Sequence, residues 1–336
     1  MAVSAIVSNM NGRRFLPRLL EALRGQRGAT VQIIVVDRLS RDGSWDYLAE
    51  QPDVTQVREP PETGLVSGYA VGVEHARHEH LFFCNEDMWF DVECLRLLEA
   101  RIDRANQVVA ADPWQWTYDG TQLIHAGTRF WRTTWNWLSP HPLRRCEFTE
   151  PVAAGEVVPF PCAGAFLMHR ETYEAAGGWD RAFFLDHEDV DLFIRVWQRG
   201  GKCVSVPDAR VYHAVGASNT QHITTIDTPV KRRRLISGLA STSVIGMKYF
   251  TGLSFLYSFV FPGLCIAKDV ARLRFGRAWL GMHAARELIR RMPAALRSRA
   301  RWSQYNRARP GQEFFRAPEH NAVCPASRRD LSAASA

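Results

Sequence analysis

One recurring unit limits what this chain can fold into: a short apolar run closed by a polar residue, followed by an amphipathic helix. Residues 31–36 are mostly apolar, too few for a typical helix, and end at Asp37, which predicts a strand buried on both faces. Residues 3–7 form a similar run that opens into Asn9-Met10-Asn11-Gly12, after which Phe15, Leu16, Leu19, Leu20 and Leu23 trace one helical face. The rhythm continues with a helix over 44–49, a strand over 54–58, a helix over 66–76 and a strand over 81–84 ending at Asn85-Glu86-Asp87. A helix over 95–102 and a strand over 108–111 follow. Alternation of this kind predicts an α/β fold with a mostly parallel central sheet, right-handed crossovers and flanking helices. Ligands of such sheets bind beyond the carboxyl ends of the strands, where Asn9, Asp37 and Asp87 all fall.

Further along, Asp119-Gly120 is a favoured two-residue turn and predicts a hairpin between 114–118 and 121–125. The tryptophan-rich stretch 130–137 has side chains suited to a platform for a sugar ring, or to ordinary core packing. Strands are expected over 157–160, 165–169, 202–206 (closed by Pro207) and 211–213, and a short helix over 170–176. Between them, residues 183–192 crowd Asp186, Glu188, Asp189 and Asp191 among apolar neighbours. Val190, Phe193, Ile194 and Trp197 have helical spacing and Gly200-Gly201 supplies the stop, so Glu188 and Asp189 sit at a helix N-terminus. The helix dipole keeps a carboxylate there ionised, as a general base for a hydroxyl requires. Asp191 and Arg195, four residues apart, read as an ion pair on the helix surface.

The chain's 336 residues and 46% hydrophobic content give ample material for a core. Seven cysteines without zinc spacing, and an apolar start lacking a charged leader region, predict a reduced, cytoplasmic setting. The net charge of +7 is concentrated in Lys231-Arg232-Arg233-Arg234 and between Lys268 and Arg301. No nucleic-acid motif or base-stacking face accompanies these residues, which points them toward anionic lipid. Residues 249–267 carry no charge, but basic flanks on both sides disfavour a single span, and an interfacial or re-entrant hairpin is expected there. The expected organisation is a catalytic domain over 1–225, a basic and apolar helical region over 226–310 that either associates with the membrane or packs as a helical subdomain on the catalytic sheet, and a loose tail over 311–336. A dinucleotide-dependent oxidoreductase is disfavoured because the first strand-to-helix loop lacks G-x-G-x-x-G.

The order of these signals resembles the family 2 glycosyltransferases of GT-A fold, particularly the rhamnosyltransferase-like bacterial members that build cell-surface polysaccharide. The resemblance rests on Ile6-Val7-Ser8-Asn9-Met10-Asn11, Val35-Val36-Asp37, Arg41-Asp42-Gly43-Ser44, Asn85-Glu86-Asp87 and Gly177-Gly178-Trp179-Asp180, and it covers roughly residues 3–216. It implies that Asp37 contacts the nucleotide base, with Asn9, Asn11, Asp42 and Asn85 assisting in nucleotide-sugar binding. It also implies that Asp87 holds a divalent metal, Mn2+ or Mg2+, with His213 as a further ligand, and that Asp189 deprotonates the acceptor, Glu188 being the rival base. One-step displacement would then invert the anomeric centre. The implied partners are a nucleotide-sugar donor, a glycan or lipid-linked acceptor and the cytoplasmic face of the cell membrane, with a catalytically silent glycan- or protein-binding relative as the alternative. The chain departs from the pattern at Arg38-Leu39, at Tyr69 and at Asn85, where a small polar residue with glycine, an asparagine and a carboxylate are usual. Arg38 reads as a solvated surface arginine, the alternative being a guanidinium that pairs with a phosphate or carboxylate of the donor.

Overall fold

The computed structural model describes residues 1–59, 64–131, 145–147, 153–181, 183, 186–214, 229–315, 317 and 321–322. Thirteen strands and ten α-helices occur among them: β1 (Ala2–Asn9), α1 (Leu16–Arg24), β2 (Thr30–Asp37), α2 (Ser44–Ala49), β3 (Val54–Arg58), α3 (Gly64–His75), β4 (His80–Asn85), β5 (Met88–Phe90), α4 (Cys94–Glu99), β6 (Val108–Thr117), β7 (Leu123–His125), β8 (Thr128–Trp131), β9 (Arg145–Glu147), β10 (Val157–Val158), β11 (Ala165–His169), α5 (Arg170–Ala175), α6 (Glu188–Gln198), β12 (Lys202–His213), α7 (Pro229–Tyr249), α8 (Gly252–Ala271), α9 (Phe275–Arg301), α10 (Ser303–Ala308) and β13 (Asn321–Ala322). The main sheet runs β10-β12-β6-β11-β4-β1-β2-β3, with β5 paired to β12 and β7 to β6, while β13, β8 and β9 make a small separate sheet. β3, β2, β1 and β4 are mutually parallel, β12 is parallel to β6, and β11 runs antiparallel between β4 and β6. The expected mostly parallel α/β sheet is therefore present.

Alternation along the buried strands builds a core on each face. Ile6, Ile34 and Val36 pack on one side with Val66 and Tyr69 of α3, with α6 and with α7. Val7, Ile33 and Val35 pack on the other with Leu16, Leu19, Leu20 and Leu23 of α1 and with α4. A strand whose two faces are both covered needs apolar side chains at successive positions, which is why β1 and β2 read as continuous runs. The chain passes from β1 to β2 and β3 on one side, then returns to β4 on the other side of β1. That reversal opens a crevice at the carboxyl ends of β1 and β4.

Several expectations are corrected. The two strands expected at 202–206 and 211–213 are one strand, β12, whose register shifts between Val206 and Arg210 and so accommodates Pro207, which has no ladder N–H to give. The strand expected over 108–111 continues to Thr117 and makes the expected hairpin with β7. No re-entrant hairpin occurs within 249–267: α8 is one helix with Pro262 inside it, and the chain reverses instead around Leu273. The loose tail is corrected at its start, because residues 311–315 form a helical turn that buries Phe314 and Phe315 against Trp197 and Phe250. Most of the tryptophan-rich stretch lies outside the described residues.

Candidate active site

Register brings the carboxyl-end residues together. Asn9 pairs with Asp37 across β1 and β2, and Ser8 pairs with Asn85 across β1 and β4. Asn9 and Asp37 are fully buried, and Asn9 Nδ2 donates to Asp37 Oδ2 at 2.7 Å and to Ser40 Oγ at 3.1 Å. The Ser40 amide donates to Asp37 Oδ1 at 3.0 Å and the Asn11 amide to Ser40 Oγ at 2.8 Å, while Asn11 Oδ1 accepts from the Arg41 amide at 2.9 Å. Asp42 ties down the start of α1, accepting from the Arg13 amide at 2.8 Å and from Ser44 Oγ at 2.6 Å. Against desolvation, which raises it, hydrogen bonds from Ser44 and the Arg13 amide hold the Asp42 carboxyl below its ordinary value. Asn9, Asn11, Asp37 and Asp42 thus form one interlocked double loop. Ser40, which closes it, had a readable signal in its position three residues after Asp37, the spacing of an Asx-type turn.

The second group follows β4. The Asn85-Glu86-Asp87 turn leads into β5, and the pairing of β5 with the end of β12 sets Met88 beside His213. His213 Nε2 consequently lies 3.2 Å from Asp87 Oδ1, and the Ala214 amide donates to the Asp87 carbonyl at 3.0 Å. On its other side His213 Nδ1 is 3.2 Å from Gln115 Oε1, so a tautomer protonated at Nδ1 would donate to that oxygen and leave the Nε2 lone pair facing Asp87. In that tautomer a cation between Nε2 and the carboxylate would make the contact favourable. Adjacent ligands of an octahedral ion with bonds of about 2.1 Å sit about 3.0 Å apart, close to the spacing seen, so the donor set fits a divalent cation whose remaining ligands are oxygens. Among the described residues no third His, Cys, Asp or Glu joins the pair. Gln115 has no local sequence signal and was not anticipated.

Asn85 is held by Tyr69, whose hydroxyl donates to Asn85 Oδ1 at 2.7 Å and lies 3.1 Å from the Ala163 carbonyl. Tyr69 also stacks on Trp179, ring centroids 5.7 Å apart, which locks the Gly177-Gly178-Trp179 turn onto α3. Glu86 is buried; desolvation, with Asp87 next to it, pushes its carboxyl up to about 8, while Arg38 and backbone amides pull it down. Gly12 passes so close that a Cβ there would come within 2.5 Å of Glu86 Cγ and 2.4 Å of Asn9 Oδ1, so only glycine lets the first loop cross the second group. Arg38 is not the expected surface arginine. It is buried, with Glu86 and Glu59 the carboxylates that favour its charge, and desolvation lowers its pKa. The covering residues come from β3, β4 and α3, which the sequence around Arg38 does not reveal.

The third group is the N-terminus of α6, as expected. Glu188 and Asp189 are buried in its first turn. They are aimed by two successive non-glycine residues in the left-handed region, Asp186 (φ 68°) and His187 (φ 69°), a conformation that costs about 1–3 kcal/mol per residue. α7 lies against this turn, with Thr242 Oγ1 3.5 Å from His187 Nε2. Burial keeps the Tyr69 hydroxyl well above its ordinary pKa, and its ring shares a core with Trp179, Phe183, Val190 and Phe193 around the start of α6.

Asp191 and Arg195 do not lie on the surface. Both are buried, with Arg195 Nη2 2.7 Å from Asp191 Oδ2, Tyr249 Oη donating to Asp191 Oδ1 at 2.8 Å, and Lys248 Nζ contacting the same oxygen. Lys248 also pairs with Asp180 at 2.7 Å, and Arg195 Nη1 donates to the Gly178 carbonyl at 2.7 Å and to that of Ala176. The residues that fix α6 therefore come from the end of α7 and the turn before Trp179.

The sequence pattern of "Glycosyl transferase family 2" matches residues 4–177, just over half of the 336-residue chain. Polypeptide N-acetylgalactosaminyltransferase 11 of Xenopus tropicalis is 28% identical over 169 residues, covering 48% of this chain and 28% of its own length. Polypeptide N-acetylgalactosaminyltransferase 3 of Drosophila melanogaster is 26% identical over 215 residues, covering 58% and 32%. The chain thus spans less than a third of the length of these curated relatives. Among solved structures, GalNAc-T7 with UDP, GalNAc and Mn2+ superposes with a TM-score of 0.53 at 18% identity, over 77% of this chain and 54% of the other. The mannosyltransferase PcManGT from Pyrobaculum calidifontis, in complex with GDP-Man and Mn2+, superposes with a TM-score of 0.50 at 16% identity, over 90% and 87%. These likenesses are of fold.

Proposed function

The chain belongs to glycosyl transferase family 2 and has its GT-A fold, and from that premise we propose that it transfers a sugar from a nucleotide-sugar donor to a hydroxyl of a glycan or lipid-linked acceptor, with inversion at the anomeric carbon. The observation that carries this reading is the Asp87–His213 pair, a carboxylate and an imidazole 3.2 Å apart at the topological switch point, with Glu188 and Asp189 buried in the first turn of α6, the helix whose Val190 and Phe193 share a core with Tyr69.

The interlocked loop of Asn9, Asn11, Ser40 and Asp42 presents Asp37 in one fixed orientation, as needed to read the edge of a nucleotide base. Asp87 and His213 would hold the divalent metal, and one imidazole in an oxygen-rich shell tilts the choice toward Mn2+ over Mg2+. The metal, when bound, neutralises charge on the departing diphosphate. Gln115 fixes the His213 tautomer that leaves Nε2 free to ligate. Asp189 at the α6 N-terminus receives the acceptor proton as the hydroxyl oxygen forms its bond to the anomeric carbon and the bond to the diphosphate breaks on the opposite face. Glu188, one residue earlier in the same first turn, is the residue it must be tested against. Donor residues of rhamnosyl or other hexosyl type fall within this reading, as does polysaccharide assembly on the cytoplasmic side of the cell envelope.

The test is a panel of nucleotide sugars with Mn2+, scored for transfer and for slow donor hydrolysis, on wild type, Asp189→Asn and Glu188→Gln. The expected result is turnover of one donor by the wild type, loss of about 10²–10⁴-fold in Asp189→Asn, and a smaller loss in Glu188→Gln. No turnover of any donor by the wild type would establish the silent, binding-only relative instead.

A further inference from the structure

α8 is built inside out. The side it turns to the protein carries Ser258, which is fully buried and donates to the Ser254 carbonyl at 2.9 Å, and Pro262. The side it turns outward carries Leu253, Leu256, Phe259, Val260 and Leu264, with Leu253 84% and Leu256 60% exposed. In water an amphipathic helix shows the opposite arrangement. Twenty residues at about 1.5 Å each give α8 a length of roughly 30 Å, and it is long and apolar enough to cross a membrane.

The turn that follows repeats the anomaly. Leu273 takes the left-handed conformation (φ 54°) usual for glycine, while its side chain is 76% exposed and that of Phe275 64% exposed. Lys268, Arg272, Arg274 and Arg277 are all exposed around these apolar tips, with Trp279 close behind. The turn lies at the far end of the hairpin from the catalytic domain. α9 returns to the base of the hairpin at Arg299, whose Nη1 donates to the Phe250 carbonyl at 2.8 Å between α7 and α8. Apolar residues flanked by cations at a projecting tip match the zone where acyl chains meet anionic headgroups.

We propose that the α8–α9 hairpin docks the protein on an anionic bilayer, the outward face of α8 and the Leu273–Phe275 tip entering the acyl-chain boundary while Lys268, Arg272, Arg274 and Arg277 pair with lipid phosphates. The face is committed to lipid because its apolar stripe runs directly into the exposed cations Lys268, Arg272, Arg274 and Arg277, the pairing of surfaces that acyl chains and anionic headgroups present together. The inference is independent of the sugar-transfer reading, since no residue of the active site takes part.

The test is co-flotation of the full chain with phosphatidylcholine vesicles with and without phosphatidylglycerol. Wild type is expected to float with the anionic vesicles and far less with the neutral ones. Leu256→Glu/Val260→Glu/Leu264→Glu, all at exposed positions, is expected to lose partitioning by roughly a hundredfold or more while keeping the wild-type melting temperature. Arg272→Glu/Arg274→Glu/Arg277→Glu is expected to lose only the preference for anionic lipid. Absence of wild-type flotation, equal flotation of the Leu256 triple variant, or a lipid-free dimer that this variant dissolves without any vesicle binding would each overturn the proposal.

Discussion

Replacing Asp191 with asparagine probes how α6 is held at the angle that presents Glu188 and Asp189. The carboxylate lies between Arg195 and Lys248, and among the described residues Asp180 shares the neutralisation of these two cations. Asp191→Asn removes a full charge and turns one acceptor oxygen into a donor facing a cation, leaving a net positive charge in a site from which water is excluded. Breaking one partner of a buried pair costs about 3–5 kcal/mol, against a total stability of about 5–15 kcal/mol for a folded domain. Urea unfolding followed by tryptophan fluorescence measures the loss as a shift of midpoint at constant slope. Lys248→Met in the Asp191→Asn background should recover part of it, because it removes one of the stranded cations, giving a coupling of about 0.5–3 kcal/mol in the double-mutant cycle. An Asp191→Asn cost below about 1 kcal/mol, the value of a solvated helix-surface pair, would refute the reasoning.

Two further outcomes follow from packing and titration. Gly72→Ala places a Cβ 2.3 Å from Ile6 Cγ2, between α3 and β1, and should cost about 1–3 kcal/mol by the same unfolding assay, whereas an unchanged midpoint would mean that α3 shifts freely on the sheet. Asp42 has a lowered folded-state pKa, so its contribution is present above its unfolded value of about 4 and is lost as pH falls through the folded value. The stability difference between wild type and Asp42→Ala should therefore shrink steadily below about pH 4, and a difference that grows on acidification would reverse the assignment.

The strands of the N-terminal half were legible because the central ones are buried on both faces and must be apolar throughout. The convergence of their polar last residues was legible for the same reason, since Asn9, Asp37 and Asn85 close adjacent parallel strands. Asp191 was not. An acid and a base four residues apart look identical in sequence whether they face water or the core, and Lys248 and Tyr249, which decide the matter, arrive from far along the chain. Arg38 was misread on the same ground, as Glu59, Glu86 and Gly68 reach it from three other elements. The hairpin expected inside 249–267 is absent because α8 runs unbroken through Pro262 to Ala271, and the helix boundaries fall at 250–251 and around Leu273. His213 drew attention only through the family resemblance, and the pairing of β5 with β12 is what carries it to Asp87.

Calorimetric titration of nucleoside diphosphates, with and without Mn2+, into wild type, Asp87→Asn and Asp189→Asn is the most direct test of whether the strand-end acids and the α6 acids serve one cleft in different roles. The expected result is Mn2+-dependent binding of one nucleotide by wild type, retained within about threefold by Asp189→Asn and weakened by at least tenfold, roughly 1.4 kcal/mol, in Asp87→Asn. Binding that ignores Mn2+, or that fails equally in both variants, would contradict it.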